Sequence, residues 1–186
     1  MSTSPRVLLD ACVLFPPLVR SVLIETAATG AFKPLWSARI FEEWRIAVGR
    51  KHGIGVESDV VAAQTGMRER FPESEVSFNP DLEAQLVLPD PADAHVLAAA
   101  VDGKADVLLT FNLRDFPPRA MEAHGIVATH PDGFLWGLLS DTPNALTSVV
   151  EDALNTADIE FERRRSVLKR AKLPRFAKAL DAIAEH

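Results

Sequence analysis

The sequence LPDPADAHVLAAAVDGKADVLLTFNLRDF, residues 88–116, predicts a turn, a helix, a strand and a polar loop, in that order. Asp90 is a typical helix-cap residue, and Pro91 has the fixed φ that suits the first helical position. Strong helix formers follow in residues 94–100, and Gly103 ends the helix. Because a helix followed at once by a short apolar strand is a unit of parallel α/β architecture, we expect this segment to decide the fold.

The apolar run at residues 106–110, DVLLT, is typical of a strand covered on both faces of a parallel sheet. Asn112 and Asp115 follow it directly. In open parallel sheets, ligands bind outside the carboxyl ends of the strands. We therefore expect Asn112 and Asp115 to lie at the functional edge of the sheet, beside the helix start that carries Asp93.

Strands and helices alternate along most of the chain. The predicted strands are residues 6–11, which we place at the centre of the sheet, 33–36, 106–110 and 125–129. The predicted helices are residues 18–29, 38–52 with Ser37 as cap, 56–71, 91–102, 119–124 and 131–139. Residues 75–78 and 85–88 fit either strand or loop.

After Ser140 the pattern is helical throughout, with Asp141-Thr142-Pro143 as a new helix start. Alternating elements followed by helices alone predict an α/β domain with a mostly parallel sheet and a helical C-terminal extension. We place the two parts at residues 1–140 and 141–186.

Composition bounds the class of protein. With 47% hydrophobic and 25% charged residues over 186 positions, the chain has the character of a folded globular protein. Its single cysteine, Cys12, excludes an internal disulfide framework and a cysteine-based zinc cluster. Asp10 and two prolines break the apolar run near the N-terminus, which argues against a signal peptide, and no segment approaches the roughly 20 apolar residues of a membrane span. We therefore expect a cytoplasmic protein with no membrane partner.

The charge is unevenly distributed. The net charge is −6, but residues 163–178 hold eight basic residues and no acidic one. The rest of the chain therefore carries a net charge of about −14. An acidic body with a basic C-terminal segment is the more informative description.

Four carboxylates occupy related places in the predicted fold. Asp10 closes the first strand, Glu43 lies on the second long helix, Asp93 is at a helix start, and Asp115 follows a later strand. A set of carboxylate oxygens without cysteine or histidine suits Mg²⁺ or Mn²⁺. Two such ions, about 3.5–4 Å apart, can stabilise the attacking and leaving oxygens of a phosphodiester displacement. The pattern thus predicts a metal-dependent phosphodiester chemistry.

Each acid also has a structural interpretation. Asp93 could have no role beyond complementing the helix dipole. Asp90 is a typical cap, and Asp115 could cap a turn. Asp10 is hardest to explain structurally, because an acid that ends a buried strand must find a partner or a metal.

Two other reactive side chains fit packing better than catalysis. We expect His95 at the surface or the edge of the core. Cys12 has no evident histidine partner in the sequence, so we expect it to be a buried packing residue and not a nucleophile.

The blocks VLLDACVLFP, FEEW, DPADAHVLAAA and DVLLTFNLRDFP together resemble PIN-domain ribonucleases of the VapC toxin type, over roughly residues 5–135. The resemblance implies a Rossmann-like α/β/α sandwich and Mg²⁺- or Mn²⁺-dependent cleavage of RNA. It also implies a VapB-like antitoxin as partner, within a toxin–antitoxin pair, and a homodimer.

By matching motifs, the family's acidic quartet would be Asp10, Glu43, Asp93 and Asp115, of which Asp10, Asp93 and Asp115 would hold the metal. Its polar supporters would be Thr110, Asn112 and Asp90. Many members carry Asp where this chain has Asn112, so the fourth carboxylate falls to Asp115. The helical extension exceeds the short toxins of this type.

Two interpretations of the basic segment, residues 163–178, remain open. It could bind the RNA backbone, with an affinity that drops steeply with salt. It could instead be a helical arm whose charges are solvated or contact an antitoxin or a second subunit, and this is the reading we favour from sequence.

Two other functions remain as alternatives. The first is a PIN-like binding module without catalysis. The second is a phosphoacceptor domain, which also places an Asp at the end of its first strand. Phosphoacceptors of the haloacid-dehalogenase type typically need a second Asp where this chain has Cys12, and receivers need a Lys near the last strand, where His130 and Pro131 stand.

Overall fold

The computed structural model describes residues 4–184, in which one parallel sheet forms the centre of the molecule. Its strands are β1 (Arg6–Leu9), β2 (Lys33–Leu35), β3 (Val107–Leu109) and β4 (Val127–Thr129). Their order is β2-β1-β3-β4, and every pairing is parallel. The predicted α/β architecture is confirmed, including the interior position of the first strand.

Helices connect and cover the strands, as an α/β sandwich requires. The α-helices of the described residues are α1 (Ala11–Leu14), α2 (Pro17–Ala28), α3 (Ala38–His52), α4 (Glu57–Arg70), α5 (Pro80–Gln85), α6 (Ala94–Asp102), α7 (Pro118–Glu122), α8 (Pro131–Asp141), α9 (Pro143–Thr156), α10 (Arg164–Arg170) and α11 (Pro174–Ala184). Short 3₁₀-helices lie at Ile54–Val56, Pro91–Asp93, Leu113–Asp115 and Phe161–Arg163. Within residues 4–184, no helix combines the length and apolar character that crossing a membrane requires.

The register of β1 and β3 positions the candidate site. Leu9 pairs with Leu109, and both side chains are fully buried. The next residue of each strand, Asp10 and Thr110, therefore emerges at the same edge of the sheet. The backbone N–H of Asp10 donates to the carbonyl of Leu109 at 3.1 Å, which fixes this alignment.

Local sequence signals explain several helix ends. Ser37 Oγ accepts the N–H of Ile40 at 3.2 Å and caps α3, as predicted. Of the two stretches that fitted either strand or loop, 75–78 is non-helical with an isolated bridge from Glu75 to Trp36, and 85–88 is loop after Gln85. Helix α5, which the sequence did not predict, lies between them, and its cap Asn79 accepts the N–H of Asp81 at 2.9 Å. An Asn cap followed by Pro80 is a helix-start signal.

The C-terminal helices share the core of the α/β part. Helix α9 packs against α2, and α11 packs against both α8 and α10. Buried side chains of this region, among them Leu146, Val150, Leu168 and Phe176, belong to the same hydrophobic cluster as the strand residues. The division into 1–140 and 141–186 stays a prediction, and its terminal residues 1–3 and 185–186 lie outside the described residues.

Candidate active site

Asp10 lies at the carboxyl end of β1 with 7% of its surface exposed. Its Oδ2 accepts two hydrogen bonds, from Thr110 Oγ1 at 2.7 Å and from Cys12 Sγ at 3.0 Å. Within the described residues, no hydrogen bond reaches Oδ1. A buried carboxylate is costly unless its oxygens are paired, so the two donors hold the side chain in place and leave one oxygen for a further partner.

Thr110 connects Asp10 to the loop that follows β3. Its side chain is completely buried, and its Oγ1 accepts the backbone N–H of Asn112 at 3.0 Å while donating to Asp10. This one hydroxyl thus fixes both the orientation of the Asp10 carboxylate and the path of the loop. Asn112 itself is exposed to solvent.

Cys12 acts as a neutral hydrogen-bond donor at this site. Burial, and after it the negative charge of Asp10, raises the pKa of the Cys12 thiol well above its ordinary value. The backbone N–H of Phe111 donates to its sulfur at 3.2 Å. Because a nucleophilic cysteine must be a thiolate, the residue packs and positions Asp10, as its lack of a histidine partner in the sequence indicated.

Asp90 and Asp93 frame the start of helix α6. Asp90 Oδ1 accepts the N–H of Ala92 at 2.9 Å and caps the 3₁₀-helix Pro91–Asp93, which confirms its predicted capping role. The 3₁₀ turn then leads directly into α6. Asp93 is therefore held at the junction of the two helices, half-buried, and it makes no cap hydrogen bond itself.

The predicted acids converge electrostatically on Asp93. Burial, and after it the negative charges of Asp10, Asp90, Asp115 and Glu43 in that order, raises the pKa of Asp93 to about 6. Such repulsion requires the other carboxylates to lie near Asp93. The negative charges of the other three predicted acids and of Asp90 thus disfavour the ionised form of Asp93.

Glu43 faces this cluster from α3. Its Oε1 lies 2.7 Å from Nε2 of His95, although the ring N–H is not directed along a good hydrogen bond. His95 is completely buried, so its expected place at the surface or core edge is wrong. The neighbouring Glu42 is exposed and pairs with Arg45, which leaves only Glu43 turned inward.

The burial of His95 follows from its helix. All the residues at 94–100 are buried, because α6 packs against β1 and β3. A helix with a continuously apolar sequence signals burial on every face, and that signal in AHVLAAA could have placed the histidine correctly.

A cleft of about 1020 Å³ opens next to these residues. Its lining comes from α1 to α4, including Glu43, and from two segments distant in sequence: Phe111, Asn112, Arg170, Ala171 and Lys172. Of the predicted site residues, Glu43 and Asn112 line the cleft, whereas Asp10, Asp90, Asp93, Thr110 and Asp115 do not. The sequence pattern does not connect the last three residues with the site.

The donor set fits a hard divalent cation, which prefers carboxylate oxygens. The described residues contain no group of three or more His, Cys, Asp or Glu side chains close enough to hold a metal ion together. Mg²⁺ usually keeps several waters and takes one or two carboxylates directly, so the unpaired Oδ1 of Asp10 and the repelled Asp93 carboxylate are compatible with it.

Comparisons with known proteins agree with this fold. Over 58 residues the chain is 45% identical to the Mycobacterium tuberculosis (strain ATCC 25618 / H37Rv) protein named "Putative ribonuclease VapC50"; this stretch covers 31% of the chain and 34% of that protein. The match thus spans about a third of the relative's length. No solved structure matches the chain significantly. The sequence model of the PIN domain matches residues 6–114, more than half of the chain, and the chain therefore belongs to the PIN domain family.

Proposed function

We propose that this protein is an endoribonuclease that uses Mg²⁺ or Mn²⁺ to cleave RNA phosphodiester bonds. The observation that carries the proposal is the buried carboxylate of Asp10 at the carboxyl edge of the parallel sheet of a PIN domain, with Oδ2 held by Thr110 and Cys12. The arrangement is unfavourable for a metal-free module that binds nucleic acid, because uncompensated carboxylates repel phosphate. A divalent cation reverses that repulsion and makes the edge attractive to a phosphodiester.

In this proposal Asp10, Asp93 and Asp115 would hold the metal, directly or through water. When bound, the cation would lower the pKa of a water and neutralise charge that develops on the phosphate. Thr110 and Cys12 hold Oδ2 of Asp10 and so leave Oδ1 for the cluster. A fixed carboxylate needs little reorganisation when its ligand arrives.

Glu43 has the proposed role of orienting water at the cluster. Glu43 lies on the side of the site that α3 forms. Its contact with the buried His95 limits the rotation of its side chain. Asn112 and Asp90 support the site: the first through the loop hydrogen bond to Thr110, the second by capping the turn that carries Asp93.

The biological setting is proposed from the relative's name and the family. We propose that the protein is the cytoplasmic toxin of a toxin–antitoxin pair, with a VapB-like antitoxin as partner and a homodimer as its assembly. A small antitoxin gene directly upstream would support this setting.

The Asp10→Asn variant tests the proposal. Purified parent protein should cleave labelled RNA with Mg²⁺ or Mn²⁺ and lose this activity in EDTA. Asp10→Asn should reduce the rate by at least about a hundredfold, because it removes the charge while the side chain can still accept from Thr110. Exposed Asp152 on α9 provides the matched control, since Asp152→Asn makes the same chemical change on a helix that contributes no residue to the candidate site or the cleft.

Equal activity in the parent and in Asp10→Asn would contradict the proposal and indicate a contaminating nuclease. RNA binding by the parent without cleavage in either metal would instead favour the non-catalytic binding module.

A further inference from the structure

We infer that the turn between α10 and α11, residues 170–172, forms one wall of the cleft and binds the phosphates of single-stranded RNA. The inference rests on the proposed function, because it assigns a substrate-binding surface to the same site. It reverses the reading of the basic segment that the sequence alone favours.

Five of the eight basic residues of this segment fall into two groups by their contacts. Arg164 and Arg165 lie 3.0 Å and 3.4 Å from the two carboxylate oxygens of Asp181 on α11. Arg175 stacks on Trp136 with its guanidinium carbon 4.3 Å from the ring centroid. These three side chains join the C-terminal helices to one another and to α8, so they have a structural role.

Arg170 and Lys172 form the other group and line the cleft. Both are exposed, and neither lies within 4.0 Å of a carboxylate among residues 4–184. Lys51, which lines the cleft from α3, is likewise unpaired within that part of the chain. Cations that face a cleft without a protein partner can bind phosphate groups. The acidic residues lining the cleft, Glu43 and Asp59, are fewer than its cationic groups.

Each of these lysines lies over an aromatic ring. Lys172 Nζ is 5.0 Å from the ring centroid of Phe111, and Lys51 Nζ is 5.0 Å from that of Phe15. A cation–π contact at an exposed site is weak. The ammonium groups can therefore move to a phosphate and uncover, for a base, the ring faces that they cover, while Phe15 and Phe111 keep their contacts with His52 and His130. Cationic grooves with aromatic side chains are the usual surface for single-stranded nucleic acid.

The cleft suits unpaired nucleotides better than a duplex. Its volume of about 1020 Å³ is at the upper end of the range for ligand pockets. Bases can stack on Phe15 or Phe111 only when they are not stacked and paired within a helix. Glu43 of the predicted quartet lines the cleft, and Asn112, which also lines it, is joined through Thr110 to Asp10, so a strand bound there would lie beside the candidate site.

The turn is held rigidly in position. Asp132 on α8 is buried, and its Oδ1 and Oδ2 accept the N–H groups of Phe176 at 2.9 Å and Arg175 at 3.2 Å. These bonds cap the first turn of α11 from outside the helix. Leu173, next to Lys172, is completely buried. The cations at residues 170–172 are therefore placed before RNA binds, which lowers the entropic cost of binding.

The Lys172→Gly variant tests this inference with a close control. Lys172 has φ +64°, and Lys104 has φ +51° at a similar position after α6. Glycine adopts this conformation without strain, so both variants remove one exposed ammonium group without disturbing the backbone. Lys104 precedes β3 and lies at the opposite end of the strand from the candidate site.

Affinity should be measured in the uncleaving Asp10→Asn background with a short fluorescent single-stranded RNA, over a series of salt concentrations. We expect Lys172→Gly and Arg170→Ser to weaken binding by about tenfold each at low salt, and to reduce the salt slope by about 0.7 per lost phosphate contact. Lys104→Gly should change neither the affinity nor the salt slope. Duplex RNA of the same sequence should compete weakly.

Two results would overturn the inference: an unchanged affinity and salt slope in both cleft variants, or competition by duplex RNA equal to that of single strands. If the intact protein cleaves RNA but Lys172→Gly and Arg170→Ser both leave KM and binding unchanged, this inference fails and the proposed function stands. If the cleft variants weaken RNA binding but the intact protein cleaves nothing, the proposed function fails and this inference stands.

Discussion

Thr110 Oγ1 donates a hydrogen bond of 2.7 Å to Oδ2 of Asp10, between residues one hundred positions apart in the chain. Both follow paired strands, β1 and β3, whose carboxyl ends meet at one edge of the sheet. The hydroxyl also accepts the N–H of Asn112. It therefore couples the central carboxylate to the loop that enters the cleft.

Thr110→Val should lower the activity by about 10- to 100-fold, the usual effect of removing a group that orients a metal-binding side chain. Valine keeps the shape of threonine but leaves Asp10 with Cys12 as its remaining side-chain donor, which should also cost about 1–3 kcal/mol of stability. Initial cleavage rates over a metal titration, with thermal unfolding in parallel, measure both effects. Thr110→Ser keeps the hydroxyl and should retain most of the activity. A valine variant as active as the parent would exclude this role.

Glu43 should depend on His95 for its orientation. Replacing His95 by Leu removes the nitrogen that lies 2.7 Å from Oε1 of Glu43 and leaves the carboxylate free to rotate. We expect kcat to fall by about tenfold while KM changes little, because the contact positions a group and binds no substrate. His95→Gln places an amide nitrogen near the original Nε2 and should restore part of kcat. Equal kcat values for His95→Leu and His95→Gln would indicate that His95 only fills the core.

The sequence predicted the strands and helix starts that carry the candidate acids more completely than the contacts around them. Strand ends and helix caps are local signals, so Asp10, Asp93 and Asp115 could be assigned to one edge from the order of elements alone. The contact of His95 with Glu43 joins two helices, and the approach of Lys172 to Phe111 joins the C-terminal turn to the loop after β3. Both depend on how helices pack, which hydrophobic periodicity does not specify.

Asp93 should make the stability of the metal-free protein depend on pH. Its pKa rises from 3.8 in the unfolded chain to about 6 in the fold, so the folded protein binds more protons between these values and its stability falls as the pH rises through them. In EDTA near neutral pH, Asp93→Asn should be more stable than the parent by about 1 kcal/mol, after allowance for solvent screening. The difference should disappear below about pH 4.

Thermal unfolding across pH, with and without Mg²⁺, measures this effect. Burial lowers the pKa of His130. The contribution of His130 to the stability of the fold therefore rises with pH, which opposes the contribution of Asp93. The comparison of parent with Asp93→Asn cancels it, because both proteins keep His130. Mg²⁺ should stabilise the parent more than the variant. A parent and variant with the same pH profile would show that Asp93 is not repelled in the fold.

Asp132 should stabilise the docked position of α11. Asp132→Ala leaves the N–H groups of Arg175 and Phe176 without their acceptors, at a cost of about 1–2 kcal/mol. A chain of this size should then lose about 2–4 °C of Tm per kcal/mol. Asp132→Asn keeps one acceptor oxygen and should lose less. RNA affinity should fall together with Tm if α11 positions residues 170–172, whereas a loss of Tm alone would assign Asp132 to folding only.

Truncation after Ser140 should abolish stable folding, although the sequence marks a new helix start at that point. The deletion removes α9 and α11, which pack on α2 and α8, and with them the buried side chains of Val150, Leu154, Phe176 and Leu180. Burial of each such side chain contributes about 1.5–3 kcal/mol, so their combined loss is comparable with the whole stability of a typical domain, about 5–15 kcal/mol. The truncated chain should be recovered as aggregate or show no cooperative unfolding transition. A soluble 1–140 fragment with a sharp transition would instead establish the predicted boundary as a true domain boundary, with an extension that folds onto a pre-formed body.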